Sequence, residues 1–162
     1  MQGDIINNIT TSRKPGDKVR LFAKEFASFL GAEYFVRGKS SISDLIANAR
    51  YSGSERIYIL TEKHGNPHQL LELEILPKKW EFKDTYLLKL IKLRKELSKE
   101  KFRVRSVNID LKNNVFNKLL RSAKVFSELE SKFIIKEKDN RITMYVDGKE
   151  IGPRFEIEWS SE

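Results

Sequence analysis

The hydrophobic period of this chain switches repeatedly between three-to-four and two, and that alternation limits it to a fold in which helices pack on a sheet. Val19, Phe22, Phe26 and Phe29 recur at helical spacing with Ala23 and Leu30 beside them, while Asp17, Lys18, Lys24 and Glu25 fall elsewhere. An amphipathic helix is predicted there. Pro15 suits its first turn, where a missing N–H costs nothing, and Gly31 is placed to end it. Before it, Ile5 to Thr10 predicts a short strand, and after it Tyr34 to Val36 predicts another. Ser41-Ile-Ser-Asp44 is a capping-box-like start for a second helix with Ile42, Leu45, Ile46 and Ala49 on one face and Gly53 as its stop. Ile57 to Leu60 is a continuous β-prone run, as expected of a strand covered on both faces. Gly65-Asn66-Pro67 then predicts a turn, and Leu71, Leu73 and Ile75 alternate with Glu72 and Glu74 in a half-exposed strand.

Beyond Pro77 the pattern is less regular. Leu87, Leu90, Ile91 and Leu97 predict a helix whose outward face carries Lys89, Lys92, Lys95 and Lys99. Arg103 to Ile109 predicts a strand, and Val115, Leu119 and Leu120 a short helix. Ile142, Met144 and Val146 alternate, Asp147-Gly148 marks a turn, and Phe155, Ile157 and Trp159 alternate with Glu156 and Glu158, so the tail is expected to be a hairpin or meander. The fold class expected is α/β, a mixed sheet with packed helices. Residues 1–162 are expected to form a single domain, in two halves, 1–77 and 78–162, that meet where Pro77 closes the first and the basic stretch begins.

With 40% hydrophobic and 33% charged residues, the chain is more charged than an average globular domain yet well short of a disordered composition. It lacks cysteine, which excludes disulfides and the cysteine-bearing zinc motifs. Asp4, Asn7 and Asn8 are unlike a secretory signal, and no apolar run nears the ~20 residues of a membrane span, so a cytoplasmic protein without a membrane partner is expected. The formal charge is +8, and between Lys78 and Arg105 eleven Lys and Arg face four Asp and Glu. That concentration favours a polyanionic partner, with RNA, DNA or an anionic surface as candidates; a solvated lysine-rich face accounts for it equally.

Residues suited to catalysis are sparse. His64 and His68 are four apart, but Gly65, Asn66 and Pro67 between them favour a turn over a metal-binding helix, and no metal or other cofactor is expected. No phosphate-loop motif and no nucleophile beside a base is recognisable, so an enzyme is not expected. Thr10-Thr-Ser-Arg13-Lys14-Pro15 gathers hydroxyls, two cations and a helix start, an arrangement able to hold a phosphate or simply to cap the helix. Arg37-Gly38-Lys39 is a second basic turn before a helix. Arg154 follows the Gly152-Pro153 turn and points away from the Phe155, Ile157, Trp159 face, where it can pair with a carboxylate or a phosphate.

Ile9-Thr-Thr-Ser-Arg13-Lys-Pro15 followed by Phe22-Ala-Lys-Glu-Phe26, the Arg37-Gly38 turn, Ile57-Tyr-Ile-Leu-Thr-Glu-Lys-His64-Gly-Asn-Pro67 and Glu150-Ile-Gly-Pro-Arg154-Phe-Glu-Ile157 together resemble the Brix-domain family of ribosome-biogenesis proteins, in a short archaeal form. The His64 turn is shorter than the family pattern, and the middle of the chain does not align. The resemblance implies an internally duplicated fold, each half similar to the anticodon-binding domain of class II aminoacyl-tRNA synthetases. It also implies non-catalytic binding of rRNA or pre-rRNA during subunit assembly and rRNA processing. Arg13, Lys14, Arg37, Lys39, Lys89, Lys92, Lys95, Lys99 and Arg154 are the expected RNA contacts. Ribosomal or assembly proteins are the further expected partners, and a protein-interaction scaffold in a preribosomal particle is the alternative.

Overall fold

The computed structural model describes residues 7–160. The chain runs β1 (Asn7–Thr11), α1 (Asp17–Leu30), β2 (Ala32–Tyr34), α2 (Ile42–Ser52), β3 (Arg56–Lys63), β4 (Asn66–Ile75) and β5 (Trp80–Lys92). It continues through α3 (Arg94–Leu97), β6 (Asn108–Asp110), α4 (Asn114–Ser122), β7 (Phe133–Lys138), β8 (Arg141–Val146), β9 (Lys149–Glu150) and β10 (Arg154–Ser160). The strands form one mixed sheet in the order β2-β1-β3-β4-β5-β10-β8-β7-β6, with β9 paired to β8. In the first part β1 is parallel to β3, which is followed by antiparallel β4 and β5. Further on, β6 is parallel to β7, followed by antiparallel β8 and β10. The two parts meet where β5 and β10 run antiparallel, Leu88 opposite Ile157.

α1 and α4 share one face of the sheet, and their phenylalanines converge on β10. Phe155 lies 5.1 Å from Phe26, 5.4 Å from Phe29 and 5.5 Å from Phe116 between ring centroids, all in edge-on geometry. α2 covers the other face at one end only, over Ile57, Ile59 and Leu73. Its capping box forms as expected: Ser41 accepts from the Asp44 N–H while Asp44 accepts from the Ser41 N–H. Gly31 and Gly53 close their helices in the left-handed conformation, and Ile57 to Leu60 are buried on both faces.

Several expectations are corrected. The helix expected from Leu87 to Lys99 is instead the second half of β5 and the four-residue α3. Its inward residues are Tyr86, Leu88, Ile91 and Leu93, and the alternation skips at Leu90 because β5 bulges there: Glu156 faces Lys89 whereas Arg154 faces Lys92. Of the strand expected at Arg103 to Ile109, only the end forms, as β6. The strand expected at Tyr34 to Val36 lies two residues earlier, since Phe35 and Val36 turn outward. Pro15 precedes Gly16, the N-cap of α1, and so stands outside the helix. The turn after β3 is His64-Gly65, both with positive φ, and Asn66-Pro67 already belong to β4. In the strand expected at Ile5 to Thr10, Ile5 and Ile6 lie outside the described residues.

Glu72 departs furthest from expectation. It is fully buried (0% exposed) in the sheet, not half-exposed. Its Oε2 accepts from Ser122 Oγ of α4 at 2.5 Å and from Tyr58 OH at 3.3 Å, and it lies 3.3 Å from Arg56 Nε without an aligned hydrogen bond. Its Oε1 and the buried Tyr86 hydroxyl find no partner among the described residues. Burial raises the Glu72 pKa despite Ser122 and Arg56. Because the folded state holds the proton more tightly than the unfolded chain, the stability Glu72 contributes is complete below about pH 4.5 and fades as pH rises through its own higher pKa. Glu72→Gln, which cannot ionise, is therefore expected to match the wild type in acid and to gain on it toward neutral pH. Urea denaturation at two pH values checks this, and a variant that loses ground as pH rises would refute it.

Candidate nucleic-acid interface

One end of each of β1, β3, β4, β5 and β10 reaches the same rim. β1 and the parallel β3 finish there at Thr11 and Lys63, and β4 starts there at Asn66. β5 ends at Lys92 opposite Arg154 of β10, whereas the end of β7 and β8 where Lys138 faces Arg141 points the other way, because β8 runs antiparallel to β10. Four steps at ~4.8 Å put β1 and β10 roughly 19 Å apart.

At the β1 end the two basic turns expected from the sequence come together. Ser12 N–H donates to Leu60 O, Phe35 N–H to Ile9 O and Thr10 Oγ1 to Phe35 O, which fixes the chain on both sides. Arg13, Lys14, Arg20 and Lys39 then line a concavity of ≈ 580 Å³. Arg37, in contrast, is buried: Nε donates to Ser40 O at 2.8 Å and Nη1 to Thr11 O at 3.0 Å. Burial, and after it the charge of Arg13, push its guanidinium below the usual arginine range. Arg37 thus stitches the two turns together, and Arg13, Lys14 and Lys39 are the exposed cations. The start of α1 already carries an anion, because the Gly16 N–H donates to Glu62 Oε2 at 3.0 Å. That carboxylate takes the place in which the sequence reading puts a phosphate.

Lys89 and Lys92 lie exposed on β5, and Lys89 pairs with Glu158 at 3.0 Å. Lys95 is exposed on α3, while Lys99 follows it in an irregular segment; the single lysine face expected of a long helix does not exist. Arg94 turns inward from the same basic stretch, donating to Gly152 O and Ser28 Oγ while its backbone N–H donates to Glu25. Arg154 grips Glu150 through two bonds of 2.7 and 2.6 Å, which hold the Glu150 carboxyl below the usual range. This is the carboxylate pairing expected of Arg154. Gly152 beside it has a φ of +75°, and a Cβ there would sit 2.7 Å from Leu97.

The rim also holds cations that the sequence reading missed. Lys18 and Lys63 surround a concavity of ≈ 640 Å³ with Lys89, His64 and His68, while Lys138 and Arg141, on the hairpin end that points away from the rim, line a smaller one of ≈ 230 Å³ with Arg154. The Asp139-Asn140 turn, with both residues at positive φ, was a hairpin signal that would have located the last two. His64 and His68 belong to no cluster of three metal-ligating side chains among the described residues. No described helix is long and apolar enough to cross a membrane.

The architecture defines the class. The chain superposes on the crystal structure of a probable ribosomal biogenesis protein from Aeropyrum pernix with a TM-score of 0.75, at 21% identity and 98% coverage of both chains. On that of an archaeal Imp4-like protein the TM-score is 0.68, at 20% identity and 94 and 99% coverage. The fold is thus that of the Imp4-like proteins.

No protein-family model matches the chain. In sequence it is a relative of archaeal Brix-domain proteins, in keeping with the motifs quoted above. It is 49% identical over 59 residues to a protein of Archaeoglobus fulgidus named "Probable Brix domain-containing ribosomal biogenesis protein", covering 36% of this chain and 35% of that one. Proteins of the same name from Thermococcus kodakarensis and Pyrobaculum aerophilum are each 33% identical, over 90 and 99 residues, or 55 and 59% of this chain and 43 and 53% of theirs. The matched segments span about half the length of these relatives or less.

Proposed function

We propose that this chain serves ribosome biogenesis as a non-catalytic, cytoplasmic factor that binds rRNA or pre-rRNA along the basic rim and accompanies its processing. The observation that carries this reading is the convergence on one rim of exposed cations from turns and strands that are far apart in sequence: Arg13, Lys14, Lys39, Lys63, Lys89 and Lys92. A line of positive charge along this rim suits a phosphate backbone, which positions a complex without reading its bases. Lys95, Lys99 and Arg154 stand at or beyond its margin, Arg154 with its charge partly spent on Glu150, and Arg37 supports the rim from beneath. We further read β1-α1-β3-β4-β5, with β2 and α2 inserted after α1, and β6-α4-β7-β8-β10, with β9 inserted after β8, as an internal duplication of a unit similar to the anticodon-binding domain.

The scaffold reading draws on Phe126 and Leu129, apolar and exposed in the loop between α4 and β7, which suit a protein partner. A salt titration of affinity for an rRNA fragment separates the two. Rim binding is expected to give a log–log slope of about −3 or steeper, at ~0.7 to 0.9 per phosphate neutralised. A slope near zero would favour the scaffold.

A further inference from the structure

The middle of the rim differs from its ends in being partly apolar. Leu90 is 60% exposed and has a φ of +51°, a left-handed conformation that a leucine seldom adopts. The bulge responsible places Leu90 and Lys89 outside together, whereas a regular strand would send them to opposite faces. The two side chains line the ≈ 640 Å³ concavity with Lys18 of α1 and with Lys63, His64 and His68 of the β3–β4 hairpin. Three lysines, two histidines and the exposed Leu90 therefore line it from three parts of the chain, with Lys89 also paired to Glu158. Glu156 is the one carboxylate among the described residues that line it.

We propose that this concavity takes one unpaired nucleotide of a bound RNA, its phosphate against Lys18, Lys63 and Lys89 and its base against Leu90 and the imidazole rings. The inference rests on the RNA-binding reading of the rim and adds a preference for unpaired RNA. Phosphate recognition alone would need only the lysines. An exposed leucine held in an unfavourable backbone conformation adds nothing to it, whereas an apolar side chain and flat rings suit the face of a base. The volume falls within the ~300–1,000 Å³ of small-ligand sites. A base kept in a duplex would be paired and stacked, with no face free to enter.

The test uses a short oligoadenylate and a blunt RNA duplex of equal length, titrated against the wild type, Leu90→Gly and His64→Asn. Glycine and asparagine tolerate the left-handed conformation at these positions, so both variants are expected to fold, and Leu90→Gly to melt no lower than the wild type. Each is expected to weaken oligoadenylate binding by about fivefold or more while leaving the salt slope and the duplex affinity unchanged. Lys63→Gln, as a contrast, is expected to weaken both RNAs and flatten the slope. If both variants bind both RNAs as the wild type does, or lose affinity for both equally, the concavity holds no base and the rim reading stands without it. If the wild type binds neither RNA, the rim reading itself fails.

Discussion

Phe155→Ala is expected to cost about 3–5 kcal/mol of folding stability, the usual range for removing a fully buried phenylalanine. For a chain of this size that lowers the melting temperature by roughly 6–20 °C. Phe155 is fully buried and touches rings from both α1 and α4, so the cavity opens where the two covering helices meet the junction of β5 and β10. Partial collapse is hindered, because Phe22, Phe26 and Phe29 are fixed by their own positions along one helix. Thermal denaturation followed by circular dichroism checks the loss. A drop of only a degree or two would mean that the two parts of the sheet are joined more loosely than this packing implies.

Replacing Arg13, Lys14, Lys63 and Lys89 together by glutamine is expected to leave the fold intact and flatten the salt dependence of RNA binding by about three units. At moderate salt that corresponds to a loss of affinity of about a hundredfold or more. All four side chains are exposed, and the one ion pair broken, Lys89 with Glu158, is solvated and worth little. The loss should be similar across RNA sequences, because phosphate contacts carry no base information. An unchanged slope in a variant with a native circular dichroism spectrum would show that the rim cations merely solvate the sheet edge.

α1, α2 and β3 were legible because each keeps one hydrophobic period from end to end. β5 was not, for a definite reason. Its core residues alternate through Tyr86 and Leu88, and the bulge at Leu90 then shifts the phase by one, so that Leu87, Leu90, Ile91 and Leu97 mimic helical spacing. A period of two with a single insertion looks like 3.6 over a short window. Glu72 was misjudged because alternation with Leu71 and Leu73 fixes which face a residue takes, while the burial of that face depends on α4, which packs there from far along the chain. Arg13, Lys14 and Lys39 could be picked out as exposed turn cations. Arg37 has the same local signature and is buried, since the carbonyls that bind it are positioned by β1 and by the approach to α2. The rim itself follows from strand order, which no local pattern encodes.

Until residues 154–160 find their place, β5 is a bare edge, and a half-finished chain would offer its unpaired N–H and C=O groups to any neighbour. Lys89 and Lys92 lie exposed toward the end of that edge, where a second copy bringing the same residues alongside would meet like charge. The lysines of β5 would therefore serve the nascent chain by holding it apart from its own copies during synthesis, before any RNA is bound.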